Sequence, residues 1–134
     1  MTRILATTVI HDRQIGQSHG SAYLVDLDWK SVHRVIDYKA ANIEWLGREG
    51  GRGLRGIAHH ADSLFLTAGD QLLEYDLHFK PRHSWRCDAM LDARGLAIHD
   101  GTLYVVSAGN DCVLGFDLKA RAFRWAMHVV SDVS

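Results

Sequence analysis

An all-β fold built from short antiparallel strands is what this sequence predicts, and three observations carry the prediction. The stretch from Arg55 to Leu77, RGIAHHADSLFLTAGDQLLEYDL, has a second copy from Arg94 to Leu118, RGLAIHDGTLYVVSAGNDCVLGFDL. Each copy opens with Arg-Gly-apolar-Ala, continues with a Leu-aromatic pair (Leu64-Phe65, Leu103-Tyr104), contains Ala-Gly and closes with aromatic-Asp-Leu. The period is about forty residues, the length of one small sheet in a repeat architecture. No stretch keeps a 3.6-residue apolar period with caps, so helix is expected to be almost absent, below one-tenth.

Taken in order, residues 4–10 (ILATTVI) are a β-rich apolar run and residues 12–20 (DRQIGQSHG) read as loop. Residues 21–27 (SAYLVDL) end in the apolar-Asp-Leu that closes the later copies, and residues 32–38 (VHRVIDY) follow as a further strand. Asp26 thus falls in register with Asp76 and Asp117, each placed where a carboxylate accepts backbone N–H groups of the next turn. The first unit reads as one whose opening strand is missing or supplied from elsewhere. The second divides into strands at 54–59, 63–67, 72–75 and 82–86, and the third at 95–98, 102–107, 112–116 and 123–129. Gly, Asp and Asn between such short runs fit up-and-down hairpins. The expected total is about eleven strands in three sheets.

The unit LYVVSAGNDCVLGFDLKARAFRWAMHV resembles the blades of quinoprotein-like, YVTN-type and NHL-type β-propellers, and GLRGIA and ARGLAIH resemble their innermost strands. The resemblance covers residues 4 to 130 and implies antiparallel four-stranded blades of a β-propeller in an incomplete ring: blade 1 at 4–46, blade 2 at 53–88 and blade 3 at 93–130. Lys119-Ala120-Arg121-Ala122 stands where a quinoprotein repeat carries Gly, so no quinone, and no other cofactor, is implied. Three blades do not close a ring, since propellers take about four to eight. The chain is therefore expected to be a piece of a longer protein, as the strand-like HVVSDVS at its end suggests, or one subunit of a ring completed by a second copy. Either way apolar residues such as Val9, Val25, Val105 and Trp125 depend on neighbours for burial.

Blade polarity sorts residues by rim. Residues entering the first strand and those joining the second to the third share one face, which gathers Arg52, Arg55 and Arg94 with Ser18, His19, Asp70, Asn110 and Asp111. Because first strands are innermost, Arg55 and Arg94 are expected nearest the channel. Repeated guanidinium groups there suit the carboxylate or phosphate of a small acidic ligand or a protein. The competing reading makes each Arg a strut, paired with an Asp of the neighbouring blade such as Asp92 or Asp111. We take Arg52, Arg55 and Arg94 as candidate ligand-binding residues, with His19 and Asp111 as secondary contributors.

Other motifs carry less. Gly51-Arg52-Gly53-Leu54-Arg55-Gly56 is formally GxGxxG, but a β-like run follows it where a dinucleotide fingerprint requires a helix. Nine histidines raise the question of metal. His59 and His60 are adjacent on a strand and point to opposite faces, while His60 and His99 align between copies at the rim opposite the arginines. No metal site is assigned. No GxSxG or HExxH appears. Trp45, Trp85 and Trp125 fall on fourth strands, where large rings fill the space between sheets.

The chain has 134 residues and a formal charge of −1, which gives no field to recruit nucleic acid or an anionic membrane. Eleven of the fifteen cations are Arg, a bias equally expected from base composition or from anion recognition. The N-terminal MTRILATTVI is too short and polar for a signal core or membrane span. Cys87 and Cys112 form no CxxC and read as free thiols, which points to the cytoplasm. Two functions stay open: a binding module with an arginine-bearing rim, or a propeller enzyme of lactonase, lyase or transferase type with a channel site completed by further blades.

Overall fold

In the computed structural model, which describes residues 2–10, 17–39 and 53–129, the repeats fold as three antiparallel sheets. The first contains β1 (Arg3–Thr7), β2 (Gly20–Asp26) and β3 (Ser31–Tyr38). The second contains β4 (Leu54–His60), β5 (Ser63–Ala68), β6 (Gln71–Asp76) and β7 (Pro81–Trp85). The third contains β8 (Ala93–His99), β9 (Thr102–Ser107), β10 (Cys112–Asp117) and β11 (Ala122–His128). Strand order follows chain order in all three, the meander of a propeller blade, and the one helical piece described is a 3-10 turn at Ala108–Asn110. The fold is an incomplete β-propeller.

Register fixes which blade positions correspond. Ser63 pairs Asp76, Thr102 pairs Asp117 and Arg3 pairs Asp26, so β1, β2 and β3 are the second, third and fourth strands of their blade. Among the described residues that blade has no first strand. The three aspartates are equivalent, and each Oδ1 accepts two turn N–H groups: Asp28 and Trp29 on Asp26, His78 and Lys80 on Asp76, Lys119 and Ala120 on Asp117. These bonds hold all three carboxyls below the ordinary range, the largest contributions coming from the N–H groups of Trp29, Lys80 and Ala120.

Two cores lie between the three blades. Between the first and second, Ala22, Ile36 and Tyr38 pack against Leu54, Leu64, Leu66 and Leu73. Between the second and third, Phe65 and Leu72 meet Leu103, Val105, Leu114 and Phe116. Trp85 closes the second core with its ring 4.8 Å from Phe116 and 6.4 Å from Phe65. Strand alternation sends the opposite face of the third blade outward, where Trp125 and Met127 are 40% and 59% exposed. On the first blade Ile4 and Val32 are 48% and 61% exposed.

Three details differ from expectation. Val105 is fully buried between blades, because its side points to β4–β7; its neighbour Val106 is the outward-facing residue. The two Ala-Gly pairs are not equivalent, since Ala68 is the last residue of β5 whereas Ser107 holds that place in β9. A two-residue turn joins β5 to β6, and four residues including the 3-10 turn join β9 to β10. Trp85 pairs Leu72 and Trp125 pairs Gly115, the counterpart of Glu74, so the two rings share a face but lie two residues apart along the ladder. Trp45 and residues 130–134 lie outside the described residues.

Candidate functional site

Arg55 and Arg94 stand at the same irregularity of two inner strands. Pairing jumps from Leu54–Ala68 to Ile57–Leu66 in the second blade and from Ala93–Ser107 to Leu96–Val105 in the third. In each, Arg and Gly together oppose one residue, a bulge that re-aims the Arg side chain at the strand's entrance. The glycine is required at Gly56, where a Cβ would collide with the Arg94 carbonyl oxygen of the next inner strand. At Gly95 the nearest atom to such a Cβ is Val106 Cγ2 at 3.8 Å, because no blade follows among the described residues.

The carbonyls of the same two arginines tie the blades together. Thr7 Oγ1 donates to the Arg55 carbonyl at 2.8 Å, and Thr67 Oγ1 donates to the Arg94 carbonyl at 2.5 Å. Each link runs from the second strand of one blade to the inner strand of the next. Val106 holds the corresponding place in the third blade and has no hydroxyl to offer.

The guanidinium groups of Arg55 and Arg94 converge on Asp92, which enters β8 with a left-handed φ of 50°. Arg94 Nη2 lies 2.9 Å from Asp92 Oδ2, and Arg55 Nε lies 3.9 Å from Oδ1. Two cations thus share one carboxylate. The Arg94 side chain is 53% exposed and that of Arg55 is 23% exposed. Beside them a second rim group bridges the first two blades. With the Gln71 amide oriented to satisfy both neighbours, its oxygen accepts from Arg86 at 2.8 and 3.1 Å and its nitrogen donates to Tyr38 Oη at 2.7 Å. Arg86 Nε also lies 3.8 Å from Asp70.

Of the candidate residues, the structure brings together Arg55 and Arg94. His19 sits under the Gln71 group rather than on the surface: it is 2% exposed, its N–H donates to the Tyr38 carbonyl at 2.9 Å, and its ring meets Tyr38 edge-on at 6.2 Å. Asp111 is exposed beyond the 3-10 turn with φ 48°, and its carbonyl accepts the Val129 N–H at 2.8 Å. Arg52 lies outside the described residues. His60 and His99 do occupy equivalent places, opposite Ser63 and Thr102. Among the described residues no three His, Cys, Asp or Glu side chains converge as metal ligands. No helix among them is long and apolar enough to cross a membrane.

The most buried charge was not anticipated. Glu74, 1% exposed in the middle of β6, receives Arg121 from the third blade through Nη2–Oε1 and Nη1–Oε2 at 2.6 and 3.2 Å, and Ser63 Oγ on Oε2 at 2.7 Å. The Arg121 bonds hold the Glu74 carboxyl below its ordinary range, Ser63 adds to the effect, and burial opposes it. Arg121 also lies over the Trp85 ring, 5.1 Å from its centroid. The signal in the sequence was a single Glu inside QLLEYDL, at the place Gly115 holds in the third blade.

No protein-family model and no curated protein matches the chain. Solved structures do match it. A chain of the nidogen/laminin complex superposes with a TM-score of 0.58 at 10% identity, over 82% of this chain and 39% of its own. Sqt1 of Saccharomyces cerevisiae gives 0.60 at 11% identity, over 84% and 33%. BamB of Moraxella catarrhalis gives 0.51 at 13% identity, over 99% and 40%. This chain therefore spans two-fifths or less of those solved chains, 39%, 33% and 40%. At such identities the likeness shows the fold, and the chain is a β-propeller module.

Proposed function

We propose that this module binds an acidic ligand, a small molecule or a protein, on the rim carrying Arg55 and Arg94. The observation that supports the reading is the convergence at Asp92: two guanidinium groups face one carboxylate at the entrance of the inner strands, and the Arg94 side chain is half-exposed there. A carboxylate or phosphate approaching along the inner strands meets planar donors suited to it. Asp111 flanks the same rim by blade polarity, His19 supports it from beneath through Tyr38, and Arg52 is kept as a candidate from the sequence alone. The free thiols of Cys87 and Cys112, both packed in the core between the second and third blades, fit a reducing, cytoplasmic setting.

The test is titration with citrate and with a hexaglutamate peptide, comparing the unchanged chain with the double variant Arg55→Gln, Arg94→Gln. Binding that weakens at least tenfold in the double variant, with an unchanged thermal melt, supports the reading. No binding by the unchanged chain, or a double variant that unfolds, makes the arginines struts and removes the site.

A further inference from the structure

Among the described residues the first blade ends at an edge, β1. In the second blade Thr67 Oγ1 works in two directions: it accepts the Gly56 N–H of its own inner strand at 2.8 Å and donates to the Arg94 carbonyl of the next. Thr7 is its counterpart, pairing Ala22 in β2 as Thr67 pairs Leu72 in β6. Thr7 makes the outgoing bond, to the Arg55 carbonyl at 2.8 Å. Among the described residues no N–H reaches its oxygen, and β1 is an edge strand where β5 and β9 are interior.

We propose that the β1 edge is an acceptor for an extended segment of the type apolar-Arg-Gly-apolar-Ala from a partner polypeptide, which adds antiparallel to β1 as the first blade's inner strand. The register follows from the second blade. Arg-Gly would lie opposite Thr7, the next apolar residue opposite Ala6 and the Ala opposite Leu5, as Arg55-Gly56, Ile57 and Ala58 lie opposite Thr67, Leu66 and Phe65. A backbone N–H at the second place completes the Thr7 hydroxyl, which excludes proline, and glycine is selected because a Cβ there would meet the Arg55 carbonyl just as one at Gly56 would meet that of Arg94. Main-chain pairing supplies the attraction and the Thr7 position supplies the selectivity, the logic of strand addition at a sheet edge.

The probe is the labelled heptapeptide LRGIAHH, followed by fluorescence anisotropy and hydrogen exchange. Expected are one-to-one binding, at least tenfold slower exchange of the β1 amides, and at least tenfold weaker binding when the peptide's Gly is replaced by Ala or by sarcosine, which puts an N-methyl in place of the N–H. The protein variant Thr7→Val should weaken the peptide by a similar factor, and the peptide substitutions give the same answer should that variant melt early. Absence of binding to the folded chain overturns the proposal, as does equal binding of the Ala and Gly peptides or protection confined to β11. A dimer whose β1 amides are already protected and which excess peptide does not dissociate also overturns it, because another kind of segment then occupies the edge.

Discussion

Replacing Arg121 by Gln should destabilise the chain more than replacing Glu74 by Gln, although both changes remove the same ion pair. Glu74 is 1% exposed and the Arg121 side chain 48%, so the two partners are stranded differently. Without Arg121, a buried carboxylate retains the Ser63 hydroxyl and loses bonds of 2.6 and 3.2 Å. Breaking a buried pair from one side costs about 3–5 kcal/mol. Half-exposure of the guanidinium lets water follow it out, which lowers the expected loss to about 2–3 kcal/mol. Without the Glu74 charge, Arg121 turns into solvent, an amide still meets Ser63, and the loss should be about 1 kcal/mol, the worth of an ordinary hydrogen bond. Urea denaturation followed by the fluorescence of Trp85, which lies beneath Arg121, measures both. In a double-mutant cycle the two losses should add to more than the double variant shows, by about 1–2 kcal/mol. Equal losses, or a loss below about 1 kcal/mol for Arg121→Gln, would refute the claim that this pair is buried from one side.

Further expectations concern single positions. Gly56→Ala should cost about 3 kcal/mol or more by forcing β4 from β8, while the equivalent Gly95→Ala, with open space beyond its Cβ, should be neutral within about 0.5 kcal/mol, both read by urea midpoint. Ala61, held at φ 53° in the turn between β4 and β5, should gain about 1 kcal/mol on change to Gly, again from the urea midpoint. Glu74, Asp26, Asp37, Asp76 and Asp117 all have lowered folded pKa values, so their stabilisation is full above the unfolded value near 4 and is lost as pH falls through the folded ones. The melting temperature should therefore be level above about pH 5 and fall steadily below about pH 4, with a shallower fall in Glu74→Gln. Outward Trp125 and Met127 should drive concentration-dependent association in sedimentation, which Trp125→Glu should reduce.

Local order was legible in the sequence because it is encoded locally. Strand alternation, the Asp-Leu closures and the Asp100-Gly101 turn, both residues of positive φ, act within a few residues of themselves. Even the missing first strand of the first blade followed from setting Asp26 beside Asp76 and Asp117. What failed to show was whatever crosses between blades. Glu74 and Arg121 are 47 residues apart and meet only when two sheets stack. Asp92 serves Arg55 as well as Arg94 because β4 and β8 lie side by side, and the sequence, which offered Asp92 or Asp111 as such a partner, did not choose between them. Val105 and Val106 differ by one position and by opposite faces, and a one-residue error in reading the strand reverses their roles. Polarity put His19 on the rim, yet polarity carries no information on depth, and packing against Tyr38 buries it.

The link between blades also bears on the rim. Thr7 and Thr67 hold the inner strands through the main-chain carbonyls of Arg55 and Arg94, not through their side chains. The backbone of each Arg-Gly bulge therefore already has a structural task that any residue at the Arg position could perform. A guanidinium is not needed for it. Arg94 and Asp92 belong to the same strand entrance, so their bond braces one blade against itself, whereas the Arg55–Asp92 contact, at 3.9 Å, crosses between blades. At Asp92 the closer of the two contacts is the local one, so the Arg94 side chain is not what joins the blades there. By that reasoning Arg94→Gln should lower stability by no more than a typical surface change, within about 0.5 kcal/mol by urea midpoint. Thr67→Val, which removes the hydroxyl that joins Gly56 to the Arg94 carbonyl, should cost about 1–3 kcal/mol because it leaves a buried N–H and a carbonyl without that partner. The reverse order of losses would place the Arg94 side chain in the framework and count against a binding role for it.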